Sequence, residues 1–304
     1  MAALMPCYKP FKAWQPLAGG AVLFVEAKDC RTITLPCGQC IGCRIERQEM
    51  WAVRCYAESK MHEKSCFITT TYDEKNFPRH GSLNYRDFQL FLKRLRKARA
   101  PDKIRYFVAG EYGEQLQRPH FHALLFGCDF PDREPLNSVR SVNGLHQSGE
   151  LQRLWGKGLC SIGEVTYASA RYCAAYVLKQ HKKSSEDDAH YKTVNYTTGE
   201  IVELEPEFAK MSLKPGLGAA WLEKYWRDIY LSGANAVVIN GTRKTVPSYF
   251  HSLMRKRDPM FMESFDWSRE AKALEQWEEY TPERLEVREE VKRAECNFNR
   301  ERNL

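Results

Sequence analysis

What the chain lacks narrows the possibilities first. No stretch approaches the roughly 18–20 apolar residues needed to span a bilayer. The best run, residues 13–25, is broken by Gln15, Pro16, Gly19 and Gly20 and then meets Glu26. The basic start and small-residue cleavage site of a signal peptide are missing too, so we expect a cytoplasmic protein that works without a membrane. No Gly-x-x-x-x-Gly-Lys-Ser/Thr loop is present, which argues against chemistry driven by nucleotide hydrolysis. No internal repeat is visible, and 18 Gly and 14 Pro in 304 residues are too ordinary for a collagen-like or low-complexity chain. Even the eleven cysteines do not read as a disulfide framework. Their number is odd and the chain is long, which leaves metal ligation or plain buried thiols.

What remains is globular: 43% hydrophobic and 12% aromatic residues can bury a sizeable core. The formal charge is +7, and it is clustered. Across residues 79–105 nine lysines and arginines stand against Asp87 and Asp102. Much of this charge falls on the polar face of a helix read over 85–98, opposite Phe88, Phe91, Leu92 and Leu95. A solvated helix face would look the same. A phosphate-cleaving site elsewhere in the chain would favour a DNA-backbone track, with Lys93, Arg94, Arg96, Lys97 and also Arg118 as candidate contacts.

Three segments follow from the patterning. Residues 1–60 are irregular and cysteine-bearing, then form an amphipathic helix over 41–60. Residues 61–183 alternate strand and helix signals: strands at 66–72, 104–109, 120–126 and 161–167, helices at 85–98 and 168–183, and a short helix near 151–155. The order β-α-β-β-α-β-α predicts an α+β fold, a ferredoxin-like (split βαβ) antiparallel sheet with flanking helices. Residues 184–304 are more polar: a linker at 184–190, a hairpin around Thr198-Gly199, a helix over 219–231, and one highly charged helix from Glu263 onward.

Three motifs carry chemistry. In Arg118-Pro-His120-Phe-His122, the period of a strand puts both imidazoles on one face and Phe121 on the other. Glu111, in Gly110-Glu-Tyr-Gly113, lies on the neighbouring strand and can supply a carboxylate. Nitrogen and oxygen ligands with open positions suit Mg²⁺ or Mn²⁺ acting on phosphate better than structural zinc. The second motif is Tyr172-Cys-Ala-Ala-Tyr176-Val-Leu-Lys179, which places Tyr172, Tyr176 and Lys179 on one helix face. An aromatic stripe packing on a sheet has the same spacing, yet Lys179 would be an odd core residue. The third is Cys37-x-x-Cys40-x-x-Cys43, a zinc-knuckle candidate that needs a fourth ligand. Cys7 is the first choice and Cys30 the second; an iron–sulfur cluster and metal-free thiols remain the alternatives.

Together these motifs resemble the HUH-type rolling-circle replication initiators, and among them the initiators of gokushovirus-type single-stranded DNA phages. The residues that carry the resemblance are Phe67-Ile-Thr-Thr-Thr-Tyr72, Gly110 to Gly113, Arg118 to His122 and the two-tyrosine helix. The segments Pro36 to Arg44 and Lys214-Pro-Gly-Leu-Gly218 add to it. The resemblance implies an HUH endonuclease domain with His120 and His122 as metal ligands, Tyr172 and Tyr176 as nucleophiles and Lys179 assisting them. It also implies single-stranded origin DNA as substrate, and a host replication helicase and polymerase as partners in the bacterial cytoplasm. The chemistry is coherent. A phenol is a poor nucleophile at neutral pH unless its phenolate is stabilised, and exchanging one phosphodiester for another needs no ATP.

Overall fold

The computed structural model describes residues 6–113, 115–136, 144–175, 191–194, 198–233 and 235–301. They form two compact units: Met1–Arg47 with His251–Leu304, and Gln48–Phe250. This partition groups residues 184–250 with the central segment, and the two ends of the chain with each other.

In the first unit β1 (Phe11–Pro16) and β2 (Cys30–Leu35) pair antiparallel, so part of the segment read as irregular is a hairpin. The signal was weak because only Ala13 of β1 is buried. Helix α1 (Ile41–Ser59) starts here and continues into the second unit.

The second unit is built on an antiparallel seven-stranded sheet. Its elements in chain order are β3 (Ser65–Thr71), α2 (Tyr85–Ala98), β4 (Arg105–Tyr112), β5 (Pro119–Phe126), β6 (Glu134–Pro135), β7 (His146–Gln147), α3 (Gly149–Trp155), β8 (Cys160–Glu164) and α4 (Tyr167–Ala175). Then come a hairpin of β9 (Lys192–Val194) and β10 (Ile201–Glu203), β11 (Phe208–Met211), α5 (Ala219–Tyr230), the hairpin β12 (Val237–Ile239) and β13 (Thr242–Lys244), and the start of α6 (Ser248–Arg257). The sheet runs β11-β4-β5-β3-β8-β7-β6. Strand β5 therefore sits between β4, its hairpin partner, and β3, which reaches β4 only through α2. Burial on both faces explains the unbroken apolar run His122-Ala-Leu-Leu-Phe126.

Local chemistry sets the helix ends. The Asn84 side chain caps α2 by accepting the Arg86 N–H at 3.1 Å. Ser148 caps α3 through the Leu151 N–H at 3.0 Å, and Gly156 closes it at φ 66°. Helices α2 and α3 cover one face of the sheet, where Phe88, Phe91, Leu95 and Trp155 pack on Ile68, Val108 and Phe121. Ala52 and Cys55 of α1, with Ala170 and Cys173 of α4, pack on the other face against Phe107, Ala109, Leu124 and Phe126.

Three features differ from the sequence reading. Strand β8 ends at Glu164, because Thr166 is already the start of a helix. Strand β11, where no strand was expected, extends the sheet beyond β4. The charged C-terminal helix is two helices. Helix α7 (Pro259–Glu275) begins at a cap where Asp258 accepts the Phe261 N–H at 3.0 Å, and α8 (Pro282–Glu301) begins at a proline suited to a first turn. Among the described residues no helix is long and apolar enough to cross a membrane. The linker read at 184–190 lies outside the described residues.

Candidate active site

The register of three strands assembles the site. Glu111 on β4 is directly opposite His120 on β5, and His122 is flanked by Ala109 on β4 and Thr69 on β3. Directly opposed residues share a face. All of these side chains therefore point to the face covered by α1 and α4, while Phe121 points into the core under α2.

Three potential ligand atoms converge. Glu111 Oε1 lies 2.6 Å from His120 Nε2 and 3.1 Å from His122 Nε2, and the two Nε2 atoms are 3.1 Å apart. The other ring nitrogens are engaged: His120 Nδ1 meets the Arg118 carbonyl at 3.0 Å and His122 Nδ1 meets Thr69 Oγ1 at 2.9 Å. A carbonyl oxygen can only accept, so His120 carries its proton on Nδ1 and turns the Nε2 lone pair inward. The same assignment for His122 lets Thr69 accept. Two lone pairs and a carboxylate then face one another while almost buried, an arrangement that calls for a cation between them. Ligand atoms about 3 Å apart fit neighbouring positions around an ion with bonds of ~2.1 Å. Burial pushes the Glu111 carboxyl up, but hydrogen bonds from His120 and His122 outweigh it and hold the pKa down at about 2.

Helix α4 brings in Tyr172. Its start is a reciprocal cap: Thr166 Oγ1 accepts the Ser169 N–H at 3.0 Å, and Ser169 Oγ accepts the Thr166 N–H at 2.8 Å. Cys173 Sγ reaches the His122 carbonyl at 3.4 Å and ties the helix to β5. Arg171 and Tyr167 both bond Glu49 on α1. The Tyr172 hydroxyl is 3.5 Å from His122 Nε2, its ring edge meets the imidazole at 5.1 Å between centroids, and the side chain stays 48% exposed. It touches the cluster yet remains open to a ligand. Tyr176 and Lys179 lie outside the described residues.

The basic candidates divide. Arg118, two residues before His120, lies over the Phe77 ring, pairs with Glu74 at 2.5 Å and donates to the Tyr72 carbonyl at 2.9 Å. Lys93, Arg94, Arg96 and Lys97 sit on α2, against the opposite face of the sheet from Glu111, His120 and His122. Arg94 donates to the carbonyls of Leu154 and Trp155 at 2.7 and 3.0 Å, and Arg96 to that of Ile104 at 3.0 Å. Sequence reasoning also missed Thr69 and Phe67, which orient His122 by a hydrogen bond and by stacking at 5.8 Å. Only the strand register could have pointed to Thr69.

The other unit holds a second cluster. The Sγ atoms of Cys7, Cys37, Cys40 and Cys43 all lie within 4.8 Å of one another. Cys30 is elsewhere, its Sγ against the Lys28 carbonyl, so the second choice for a fourth ligand is set aside. Burial pushes the Cys37 thiol up, but N–H donors from Cys40 and Gln39 overcome it and bring its pKa down to about 7. Burial raises Cys7 and Cys43.

Comparison with known proteins places these residues in context. The family model for the replication-associated protein ORF2 group matches residues 65–181, which hold Glu111, His120, His122 and Tyr172. Replication-associated protein VP4 of Bdellovibrio phage phiMH2K is 30% identical over 266 residues, 84% of this chain and 79% of that protein. Replication-associated protein ORF2 of Spiroplasma virus 4 is 31% identical over 253 residues, 78% of this chain and 73% of that protein. Replication-associated protein ORF4 of Chlamydia phage 1 is 27% identical over 229 residues, 73% and 54% respectively. No solved structure matches the chain.

Proposed function

The chain belongs to the replication-associated protein ORF2 family of phage proteins, and from that premise we propose that it is a site-specific single-strand DNA endonuclease and strand transferase that starts rolling-circle replication. The strand order β4-β5-β3-β8, antiparallel throughout with α2 and α3 in the crossovers, supports a ferredoxin-like core of the HUH type. One observation carries the chemistry: a half-exposed tyrosine hydroxyl stands 3.5 Å from the Nε2 of a histidine that faces a second histidine and a buried carboxylate.

Glu111, His120 and His122 would hold Mg²⁺ or Mn²⁺. When bound, the ion would draw charge off the scissile phosphate and orient it for in-line attack. Tyr172 supplies the nucleophile. Its oxygen bonds to phosphorus, the bond from phosphorus to the 3′ oxygen breaks, and the phenol proton ends on the released 3′-hydroxyl. The product is a 5′-phosphotyrosine and a primer end that a polymerase extends. Tyr176, one helical turn further by spacing, would make the second transfer that closes the displaced circle, with Lys179 stabilising a phenolate. Arg118 is placed to meet the DNA backbone beside the histidines. The expected partners are single-stranded origin DNA and the host helicase and polymerase, in the cytoplasm of a bacterial host.

The test is incubation with a single-stranded origin oligonucleotide and Mn²⁺. We expect an SDS-resistant adduct that peptide mapping assigns to Tyr172 or Tyr176. It should be lost in Tyr172→Phe/Tyr176→Phe, with cleavage reduced at least ~100-fold in His120→Ala or His122→Ala. An adduct on any other tyrosine, or wild-type cleavage by either histidine variant, would sink the assignment. DNA binding without cleavage would favour a noncatalytic regulator, and a strand-joining preference unrelated to an origin would favour a relaxase or transposase of the same chemistry.

A further inference from the structure

The cysteine cluster takes no part in the nicking chemistry, and its geometry has its own logic. Four sulfurs within 4.8 Å are too close to be independent thiols, yet they are not disulfides. Cys7 and Cys40, the closest pair whose separation is given, stand 3.9 Å apart, against ~2.05 Å for a bonded pair. A tetrahedral ion with bonds of ~2.3 Å to sulfur places its ligands ~3.8 Å apart.

The backbone around the sulfurs is arranged for negative charge. Cys37 Sγ accepts the N–H of Gln39 at 3.3 Å and of Cys40 at 3.2 Å. Cys40 Sγ accepts the N–H of Tyr8 at 3.3 Å and of Cys43 at 3.5 Å, and Cys7 Sγ accepts the N–H of Cys37 at 3.1 Å. Amide donors aimed at sulfur stabilise thiolates far more than thiols. Cys40 directly precedes α1 and Cys43 lies in its first turn, where the helix dipole acts in the same sense.

The sequence makes room for the fourth ligand. A Cβ on Gly42 would lie 2.2 Å from the Pro6 carbonyl and 2.9 Å from the Tyr8 ring. Only glycine at this position lets the segment carrying Cys7 close over the helix start. Gly38, at φ 71°, turns the chain between Cys37 and Cys40. The cluster is also a packing centre, since Tyr8, Cys40 and Cys43 are buried with Leu285 of α8.

We propose that Cys7, Cys37, Cys40 and Cys43 form a four-thiolate structural zinc site that binds the N-terminal segment to α8. All four positions are filled by protein, so the site is closed and has no place for substrate. Sulfur-only ligation separates it from the nitrogen and oxygen cluster on the sheet, which suits a different ion.

The experiment uses the full-length protein in a His120→Ala/His122→Ala background, so that zinc on the sheet site is not counted. Elemental analysis should find about one zinc per chain. A mercurial should release it, and Co²⁺ in its place should give the intense visible absorption of tetrahedral cobalt thiolate. Cys7→Ser should lose the metal while Cys30→Ser keeps it. Cys7→His, which preserves a ligand, should retain zinc and give a cobalt spectrum shifted towards mixed nitrogen and sulfur ligation. Zinc-free folded protein, full zinc retention in Cys7→Ser with an unchanged cobalt spectrum, or iron with a cluster absorption would each overturn the proposal. The nicking assay is independent of all these readouts, so either reading can fail without the other.

Discussion

The two polar clusters are built in opposite ways. Glu111, His120 and His122 stand on three-strand register, with Thr69 and Phe67 holding one ring and the Arg118 carbonyl the other. Around them the sheet buries Phe107, Leu124 and Phe126, so the positions of the ligands are fixed by a core that exists without an ion. Cys7 and Cys37 come from irregular chain, and only Cys40 and Cys43 border regular structure. The buried apolar group around them is small, its one described residue from another helix being Leu285. A site on a rigid sheet is preorganised for chemistry. A site that gathers loose chain supplies the cohesion its neighbourhood lacks.

Metal removal should separate the two most strongly. A chelator strong enough to strip zinc should raise amide hydrogen exchange across Cys7 to Cys43 and along α8 by several orders of magnitude, while β3, β4 and β5 stay protected. Structural zinc in small domains contributes about 10 kcal/mol, so the local effect is bounded by global unfolding rather than by the site. Removing Mg²⁺ or Mn²⁺ should change exchange in neither region. Equal loosening of β5 and α8 under zinc chelation would break the contrast.

How much of this could be seen in the sequence follows the same division. His120, His122 and Phe121 were readable because a strand has a period of two, and Glu111 because a hairpin brings its neighbour across. Helix α2 was readable to the residue, since Asn84 caps a stripe of Phe88, Phe91, Leu92 and Leu95. Strand β11 was not: Phe208 to Met211 are only half-buried, and what makes them a strand is the open edge of β4, a tertiary fact. Charge counting found the basic helix but not its place on the opposite face, nor that Arg94 and Arg96 use guanidinium donors on backbone carbonyls. Of the tyrosine pair, the structure describes Tyr172 alone. The cysteine spacing announced a metal site, and only folding separated Cys7 from Cys30.

A subtler change tests the preorganised site. Thr69→Val keeps the shape of the side chain and removes the oxygen that holds His122 Nδ1. We expect metal affinity to fall by about 10–100-fold, as when other orienting partners of ligand histidines are removed. Cleavage should recover at high Mn²⁺, because the imidazole and the tyrosine are still present. Thr69→Ser should behave as wild type. Loss that excess metal does not rescue would mean that Thr69 acts on folding rather than on ligand orientation.

The smallest expected effect is in acid, and it again falls unequally on the two regions. Near α7, burial lowers the pKa of His251 from 6.5 to about 4, with Arg269 and Arg255 adding to the shift and Asp266 opposing it. Its folded pKa is depressed, so the unfolded chain takes up the proton first. The associated stability is fully present above pH 6.5 and drains away as the pH falls towards 4. Glu111 is also depressed, from 4.5 to about 2, so its contribution is intact above 4.5 and is lost only below that. Between pH 6.5 and 4.5 only the first of these groups titrates. Exchange protection in α6 and α7 should therefore decline over that window while β4 and β5 hold, with a midpoint shift on the order of 5 °C for each ~1 kcal/mol lost. His251→Gln removes the titration and should flatten this limb without moving the acid behaviour of β4 and β5. If the slope survives in His251→Gln, the acid sensitivity of that region belongs to the thiolates, whose protonation releases metal in the same direction, and the cysteine cluster rather than the histidine sets the acid limit of the unit.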